Sequence, residues 1–297
     1  MLTLKKYAAI DIGSNGVRLL ISNVVIQDNE EPLFRKSSLV RVPIRLGADT
    51  FLKGEISEEN IQRMIDAMNS FKLIMSIHKV EKFKACATSA IREASNGKQI
   101  IEEIFQKTSI KIDIIDGKTE AKIIALTDIK ELINNNNSHL YVDVGGGSTE
   151  FTLFDKGIMI NSKSFKIGTV RLLNKKKQED AEWQHAKNWV VQNTKDFKNL
   201  SLIGSGGNIN KIFKLSGKMQ SKPLSLEYLK TQFEFLSTLT YEERIIKYAL
   251  NPDRADVIIP ALKIYLSAME WSNADKIYVP KIGLVDGIIK TLHQDLI

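Results

Sequence analysis

One pattern occurs twice along this chain and limits its fold more than any other feature. AAIDIGSNGVRLLI, starting at Ala8, and LYVDVGGGSTEFTL, starting at Leu140, share one order of parts. Each reads as an apolar strand, an aspartate, a small apolar residue, a glycine-rich turn and a second strand. The copies lie about 130 residues apart. A solenoid repeats every 20–50 residues or so, so this spacing predicts two related domains facing each other. The length of 297 residues agrees, because single cores stop growing near this size.

The rest of the chain reads as alternating strands and helices, an α/β architecture. In the first half, Arg35–Leu46 is expected as a strand. Ser57–His78 is expected as a helix, from the spacing of Ile61, Met64, Ile65, Met68, Phe71, Ile74 and Met75. Phe83–Thr88 and Ile110–Ile115 read as strands, and Ala94–Thr108 and Thr119–Ile133 as helices. The polar loop Asn134–Asn137 marks the exit from the first domain. Beyond the second hairpin, Ala181–Phe197, Ser225–Leu239 and Arg254–Trp271 read as helices. Leu200–Ile203 and Lys276–Val279 read as strands, and Gly283–Ile297 as the last helix. The domains expected are residues 1–125 and 126–297, with the last helix, about 284–297, joined to the first.

Three glycine-rich turns follow apolar strands: Gly13–Gly16, Gly145–Gly147 and Gly204–Gly207. Glycine allows positive φ and close backbone approach, and successive N–H groups in such a turn form a nest for an anion. Ser14, Asn15, Ser148 and Thr149 add side-chain donors. A plain hairpin turn explains any one of them; two similar turns, each preceded by an aspartate, favour phosphate. Asp11 and Asp143 end apolar strands, where a carboxylate can hold a divalent cation that keeps its waters and shares a phosphate. A turn-capping aspartate explains either residue alone; the pair favours a metal. Glu120 lies in the first turn of a helix, where an acid also offsets the helix dipole. Arg92 is either a surface arginine or a bidentate phosphate fork. The Lys175–Lys177 run reads as a solvated face that helps to guide a polyanion.

The net charge of +7 favours acidic partners without choosing among them. Cys86 is the single cysteine, so no internal disulfide forms, and it reads as a small buried residue. The four histidines show no ligand spacing for zinc. Asp11 interrupts any signal-peptide core and no apolar run spans a membrane, so a cytoplasmic protein is expected. Nothing matches a zinc finger or RNA-recognition motif, and no specific nucleic acid is expected.

AAIDIGSNGVRLLI, ATSAIREASN, DGKTEAKII, VDVGGGSTE, GSGGN and RADVIIPAL follow one another in this order. Together they resemble the exopolyphosphatase/guanosine pentaphosphate phosphohydrolase (Ppx/GppA) family across nearly the whole chain. The resemblance implies two ribonuclease-H-like domains of the actin/Hsp70/sugar-kinase superfamily with an active-site cleft between them. It implies Mg2+, or Mn2+, near Asp143, its counterpart Asp11, and Glu150. Gly13, Ser14, Asn15, Gly145, Gly146, Gly147 and Ser148 look like phosphate-holding positions, with Gly206 and Gly207 in GSGGN. Arg92 looks like the phosphate-binding arginine and Glu120 like the base that activates water. The substrate implied is inorganic polyphosphate, with guanosine pentaphosphate (pppGpp) as the rival, and a homodimer is left open. A kinase of the same superfamily and a non-catalytic polyphosphate or nucleotide sensor are the readings from other classes. Gly16 stands where relatives have Ser or Thr, and Val285-Asp286 where they have Arg-Glu, which loses a charge. Longer relatives carry an extra helical carboxy-terminal region, and its processivity and dimer contacts are not expected here.

Overall fold

The computed structural model describes residues 2–127, 137–174 and 179–295. The chain divides into two compact units, Met1–Thr127 with Gly283–Ile297, and Asp128–Ile282.

The first unit is built on a five-stranded sheet. Strands β1 (Leu2–Ile12), β2 (Val17–Gln27) and β3 (Leu33–Val42) form an antiparallel meander, and β4 (Lys82–Ala87) and β5 (Ile112–Ile114) add in parallel on the other side of β1. The order is β3-β2-β1-β4-β5. Tyr7–Ile12 is buried on both faces of β1. Alternation therefore gives way to a continuous apolar run, as expected for a central strand covered on both sides. The helices of this unit include Glu58–Ile77, Gly97–Thr108, Gly117–Ala125 and the last one, Leu284–His293.

The second unit repeats the plan with an extra edge. Strands β6 (Ser138–Val144), β7 (Thr149–Asp155) and β8 (Ile158–Phe165) form the meander, and β9 (Ser201–Ser205) and β11 (Lys276–Tyr278) are the parallel strands. A short β10 (Leu224–Ser225) completes the six-stranded order β10-β11-β9-β6-β7-β8. Both sheets thus carry the ribonuclease-H-like order of three meander strands followed by two parallel ones. The core of the second unit packs the sheet against Ile258–Trp271, with Tyr265, Leu262 and Met269 almost fully buried. Burying one such side chain stabilises the unit by about 1.5–3 kcal/mol.

Several element boundaries differ from expectation, for local reasons. The strand expected over Arg35–Leu46 ends at Val42, and Leu46 opens a helix, Leu46–Lys53. Pro43 cannot donate to the ladder, and Arg45 turns the chain through a left-handed φ of 61°. The helix expected over Ala94–Thr108 begins at Gly97, after a separate short helix, Ser89–Glu93, that was not expected. They meet so closely that a Cβ on Gly97 would overlap the Ile91 carbonyl oxygen. The helix expected over Arg254–Trp271 is two helices, Pro252–Ala255 and Ile258–Trp271. Pro260 sits in its first turn, where a missing N–H costs nothing.

Three further helices, Thr169–Asn174, Gly207–Leu215 and Tyr241–Tyr248, and strand β8 were not expected. Strand β8 follows a two-residue turn in which Lys156 and Gly157 both have positive φ, 48° and 79°. This is the type I′ geometry that suits a twisted hairpin. The helix expected from Thr119 starts at Gly117 and runs to Ala125. The expected continuation to Ile133 stops short, since Leu126 caps the helix and Thr127 is not helical; residues 128–133, most of the Asn134–Asn137 loop and the Lys175–Lys177 run lie outside the described residues.

Candidate functional site

In the first unit the polar groups gather at the carboxyl end of β1, β4 and β5, where loops and helix starts of α/β sheets bind ligands. Asp11 is one residue from the end of β1 and 4% exposed. Across the strand pair it faces Arg18, whose Nη1 donates to Asp11 Oδ2 at 2.8 Å. Burial pushes the Asp11 carboxyl above its ordinary value, and the Arg18 guanidinium partly opposes that shift. On the other side Asp11 is in register with Cys86. Cys86 is the small buried residue that its strand predicts, and burial pushes its thiol up to about 12.

The first turn is closed by Gly13 N–H donating to the Gly16 carbonyl at 3.2 Å. Ser14 is buried, and its hydroxyl meets that of Ser89 at 2.9 Å, so it bridges to the start of Ser89–Glu93. The Asn15 carbonyl accepts from Arg41 Nη2 at 3.2 Å. A Cβ on Gly16 would lie 3.0 Å from that same nitrogen. The Arg41 guanidinium thus fills the space where a Ser or Thr side chain would stand.

Arg92 reaches the corner where the helix carrying Glu120 begins. Arg92 Nη1 donates to the Ile115 carbonyl at 2.7 Å. The next residue, Asp116, caps the helix Gly117–Ala125 by accepting from Thr119 N–H at 2.7 Å. The Thr119 side chain first, then that N–H bond, and more weakly the charge of Arg92, hold the Asp116 carboxyl below its usual value. Glu120 sits in the first turn of this helix and is 9% exposed. The charges of Asp11 and Glu120 both reach the Cys86 thiol, so the three lie in one region of the unit.

In the second unit the corresponding aspartate has a different neighbour. Asp143, half-buried, faces Glu150 across β6 and β7. Register partners have Cβ atoms about 4.5–5.5 Å apart, so two carboxylates share one patch of sheet. Glu150 is 2% exposed. Its Oε1 accepts from Ser148 Oγ at 2.8 Å and from Ser164 Oγ at 2.7 Å.

The turn between these acids closes with Gly145 N–H donating to the Ser148 carbonyl at 3.0 Å. It is backed by Thr169–Asn174. Thr169 and Val170 N–H donate to the Gly145 and Gly146 carbonyls at 3.0 and 2.8 Å, and Arg171 Nε to the Gly147 carbonyl at 2.8 Å. With the carbonyls tied down, the turn is rigid.

The third turn joins this patch from β9. Ser205 is in register with Asp143, and Gly206 follows with φ 122°, a region open to glycine. A Cβ on Gly206 would lie 3.1 Å from the Val144 carbonyl oxygen and 3.9 Å from Asp143 Oδ1. Beneath it the buried Tyr265 hydroxyl donates to the Ser205 carbonyl. Burial first, and then the Asp143 charge, raise the Tyr265 hydroxyl well above its usual value. Gly207 opens the helix Gly207–Leu215, and Arg254 lies against it, with Nη2 3.1 Å from where a Cβ would be.

Among the described residues, no group of three or more His, Cys, Asp or Glu forms a metal cage. Asp143 and Glu150, with a glycine turn on either side, do match the donor set of Mg2+. That ion takes one or two carboxylates, keeps waters and shares phosphates. Asp11 fits less simply, since Arg18 already engages one of its oxygens.

The structure therefore groups Asp143, Glu150, Ser148, Gly145–Gly147 and Gly206–Gly207 in the second unit. In the first it groups Asp11, Ser14, Arg92 and Glu120. Sequence reasoning missed Arg18, Arg41, Ser164 and Tyr265. Arg18 had a signal, because it stands seven residues after Asp11 as Glu150 does after Asp143. In the last helix Val285 is buried. Asp286 there takes Gly283 N–H at 2.9 Å and Lys36 Nζ at 2.8 Å.

A family model described as the Ppx/GppA phosphatase family matches residues 25–295. A bifunctional 3-dehydroquinate synthase/phosphatase of Fusobacterium nucleatum is 34% identical over 95% of this chain and 46% of its own length. A guanosine-5'-triphosphate,3'-diphosphate pyrophosphatase of Photobacterium profundum is 25% identical over 98% of this chain and 61% of its own. The chain thus spans only about half of these two relatives. Exopolyphosphatase 2 of Mycobacterium tuberculosis is 24% identical over 98% of this chain and 99% of its own. Among solved structures, a Ppx/GppA family member of Aquifex aeolicus is 25% identical, covers 99% of each chain and superposes with a TM-score of 0.76.

Proposed function

The chain belongs to the Ppx/GppA phosphatase family, and from that premise we propose that it hydrolyses terminal phosphoanhydride bonds, releasing orthophosphate from inorganic polyphosphate. The observation that carries this reading is the second hairpin. There, two facing acids, Asp143 and Glu150, stand between two glycine turns whose carbonyls are tied back. Such a patch offers N–H groups to phosphate oxygens and carboxylates to a cation.

In this reading the turns Gly145–Ser148 and Gly206–Gly207 hold phosphate oxygens through backbone N–H groups and the Ser148 side chain. Asp143 and Glu150 would hold Mg2+ or Mn2+, which when bound neutralises phosphate charge that otherwise repels the nucleophile. In the first unit Gly13–Asn15 and Arg92 are phosphate-holding positions, and Arg92 also fixes the corner from which Glu120 projects.

Glu120 orients a water and takes its proton as the new P–O bond forms. The bridging oxygen leaves with the shortened chain. Phosphoryl transfer needs positioning and charge stabilisation more than a covalent intermediate, so no nucleophilic side chain is required. A cytoplasmic setting belongs to the same reading; among the described residues no helix is long and apolar enough to cross a membrane.

Phosphate release from polyphosphate and from pppGpp, each with and without Mg2+, tests this directly. Glu120→Gln is expected to keep the fold and lose about 10²–10⁴ in turnover. Wild-type turnover in that variant removes Glu120 as the base, and no release from either substrate removes the hydrolase reading. Transfer to an acceptor other than water would instead identify a kinase, and binding without turnover a sensor.

A further inference from the structure

The second sheet has an apolar face and a polar face. Side chains alternate across a strand, so Leu140 and Val142 of β6 enter the core while Tyr141 and Asp143 point the other way. Register carries the polar face across four strands. Ser205 of β9 and Glu150 of β7 stand opposite Asp143, and Ser164 of β8 stands opposite Glu150. Thr152 stands opposite Tyr141, and Ser162 opposite Thr152.

Most hydroxyls of this face are matched. Ser148 and Ser164 donate to Glu150 Oε1 at 2.8 and 2.7 Å, and the Thr152 and Ser162 hydroxyls meet at 2.9 Å. Two hydroxyls differ. Tyr141 is 1% exposed and Ser205 0%, and among the described residues neither hydroxyl has a hydrogen-bond partner. Both flank Asp143, one from two residues earlier on the same strand and the other from directly across the sheet. Burial first, and then the Asp143 charge, raise the Tyr141 hydroxyl well above its usual value, with Ser205 close enough to oppose the shift. The Tyr141 hydroxyl therefore stays protonated and able to donate throughout the working range of pH.

A buried hydroxyl left without a partner costs more than having no hydroxyl there. Phenylalanine and alanine would fill the same places without that cost, so packing alone does not explain Tyr141 and Ser205. The fold keeps both where the Asp143 carboxylate emerges, beside Gly206, whose Cβ would lie 3.9 Å from Asp143 Oδ1. A carboxylate that binds a cation through one oxygen is oriented by what holds the other. A neutral hydroxyl can hold it without displacing the cation, whereas the guanidinium of Arg18 takes the place of a cation at Asp11.

We infer that Tyr141 and Ser205 are positioning residues for Asp143, donating hydrogen bonds to its carboxylate when a divalent cation engages it. The inference rests on the cation reading of this patch. Both residues act through Asp143 rather than on the substrate. Thr152 and Tyr265 have no such role, because each is already engaged, with the Ser162 hydroxyl and the Ser205 carbonyl. The unmatched hydroxyls are a local cost in the metal-free protein that binding relieves.

The test compares Tyr141→Phe and Ser205→Ala with Asp143→Asn in the full chain. Metal-free stability is read in a denaturant melt. Mn2+ is titrated into each protein, and free Mn2+ is followed by its paramagnetic resonance signal. Positioning predicts that Tyr141→Phe leaves the metal-free melt unchanged or raises it, and yet weakens Mn2+ binding on the order of tenfold. Ser205→Ala is expected to change both readings in the same directions. A lower metal-free melt with unchanged Mn2+ affinity makes Tyr141 an ordinary structural hydroxyl and overturns the inference. If both hydroxyl variants bind Mn2+ as the wild type does while Asp143→Asn binds it weakly, the inference fails and the cation reading stands. If Asp143→Asn also binds as the wild type does, the cation reading of the patch fails and takes the inference with it.

Discussion

The two hairpins share a backbone plan and differ in what faces the aspartate. In the first, Asp11 is paired with Arg18 and buried. In the second, Asp143 faces another acid and is only partly buried. A carboxylate beside a guanidinium is already neutralised, so it gains little from a cation. A carboxylate beside a carboxylate concentrates negative charge, and a divalent ion relieves it. Duplication of a hairpin therefore need not duplicate its chemistry. The first holds its acid in the interior against a guanidinium, and the second sets two acids side by side.

The sharpest way to break this contrast is a matched pair of substitutions. Asp143→Asn is expected to lose on the order of 10²–10³ in kcat/KM and to raise the Mg2+ concentration needed for half activity. Asp11→Asn is expected to leave that midpoint where it was and to lower the melting temperature, because Arg18 then stands without its partner. Equal shifts of the Mg2+ midpoint in both variants would erase the difference.

A smaller effect is expected from Gly206→Ala, which forces a side chain into φ 122° against the Val144 carbonyl. The strain is about 1–3 kcal/mol, read in a denaturant melt, and phosphate release should fall with it. Ser164→Ala removes one of two hydroxyls on buried Glu150 and should cost about 1–2 kcal/mol. An unchanged melt would mean that the other partners of that carboxylate satisfy it.

The smallest effect concerns pH and the first unit only. Asp49 is buried, which pushes its carboxyl up, but Ser57 and Asn60 outweigh burial and hold it below its ordinary 3.8. A depressed carboxyl contributes stability above that ordinary value and loses it as pH falls through the folded value. Asp49→Asn should therefore lower the melting temperature at neutral pH, and the gap from wild type should narrow below about pH 4. A gap that is constant with pH would show that the Asp49 charge plays no part.

Much of this was legible along the chain. Helix Glu58–Ile77 lies within one residue of its expected ends, because a long apolar stripe with Ser57 at its start leaves little room for another reading. The aspartates and glycine turns were legible because strand, turn and strand are local. Glu120 was legible only through the motif around it, since an acid in a first helical turn is commonplace. Ser164, Tyr265 and Arg41 were not legible. Each reaches its partner from another strand or helix, 14, 60 and 26 residues away in sequence.

The sequence alone determined the two hairpins and even the residue facing each aspartate. A four-residue turn sets the register, and a residue seven positions on must then stand opposite. Tertiary structure alone decided the rest. It brought Gly206 beside Asp143, filled the space beside Gly16 with Arg41, and set the start of one helix where Gly97 meets Ile91. Periodicity and turn chemistry act within a few residues and can be read in order. Close approach between distant backbones depends on how the layers pack, and no local pattern records it.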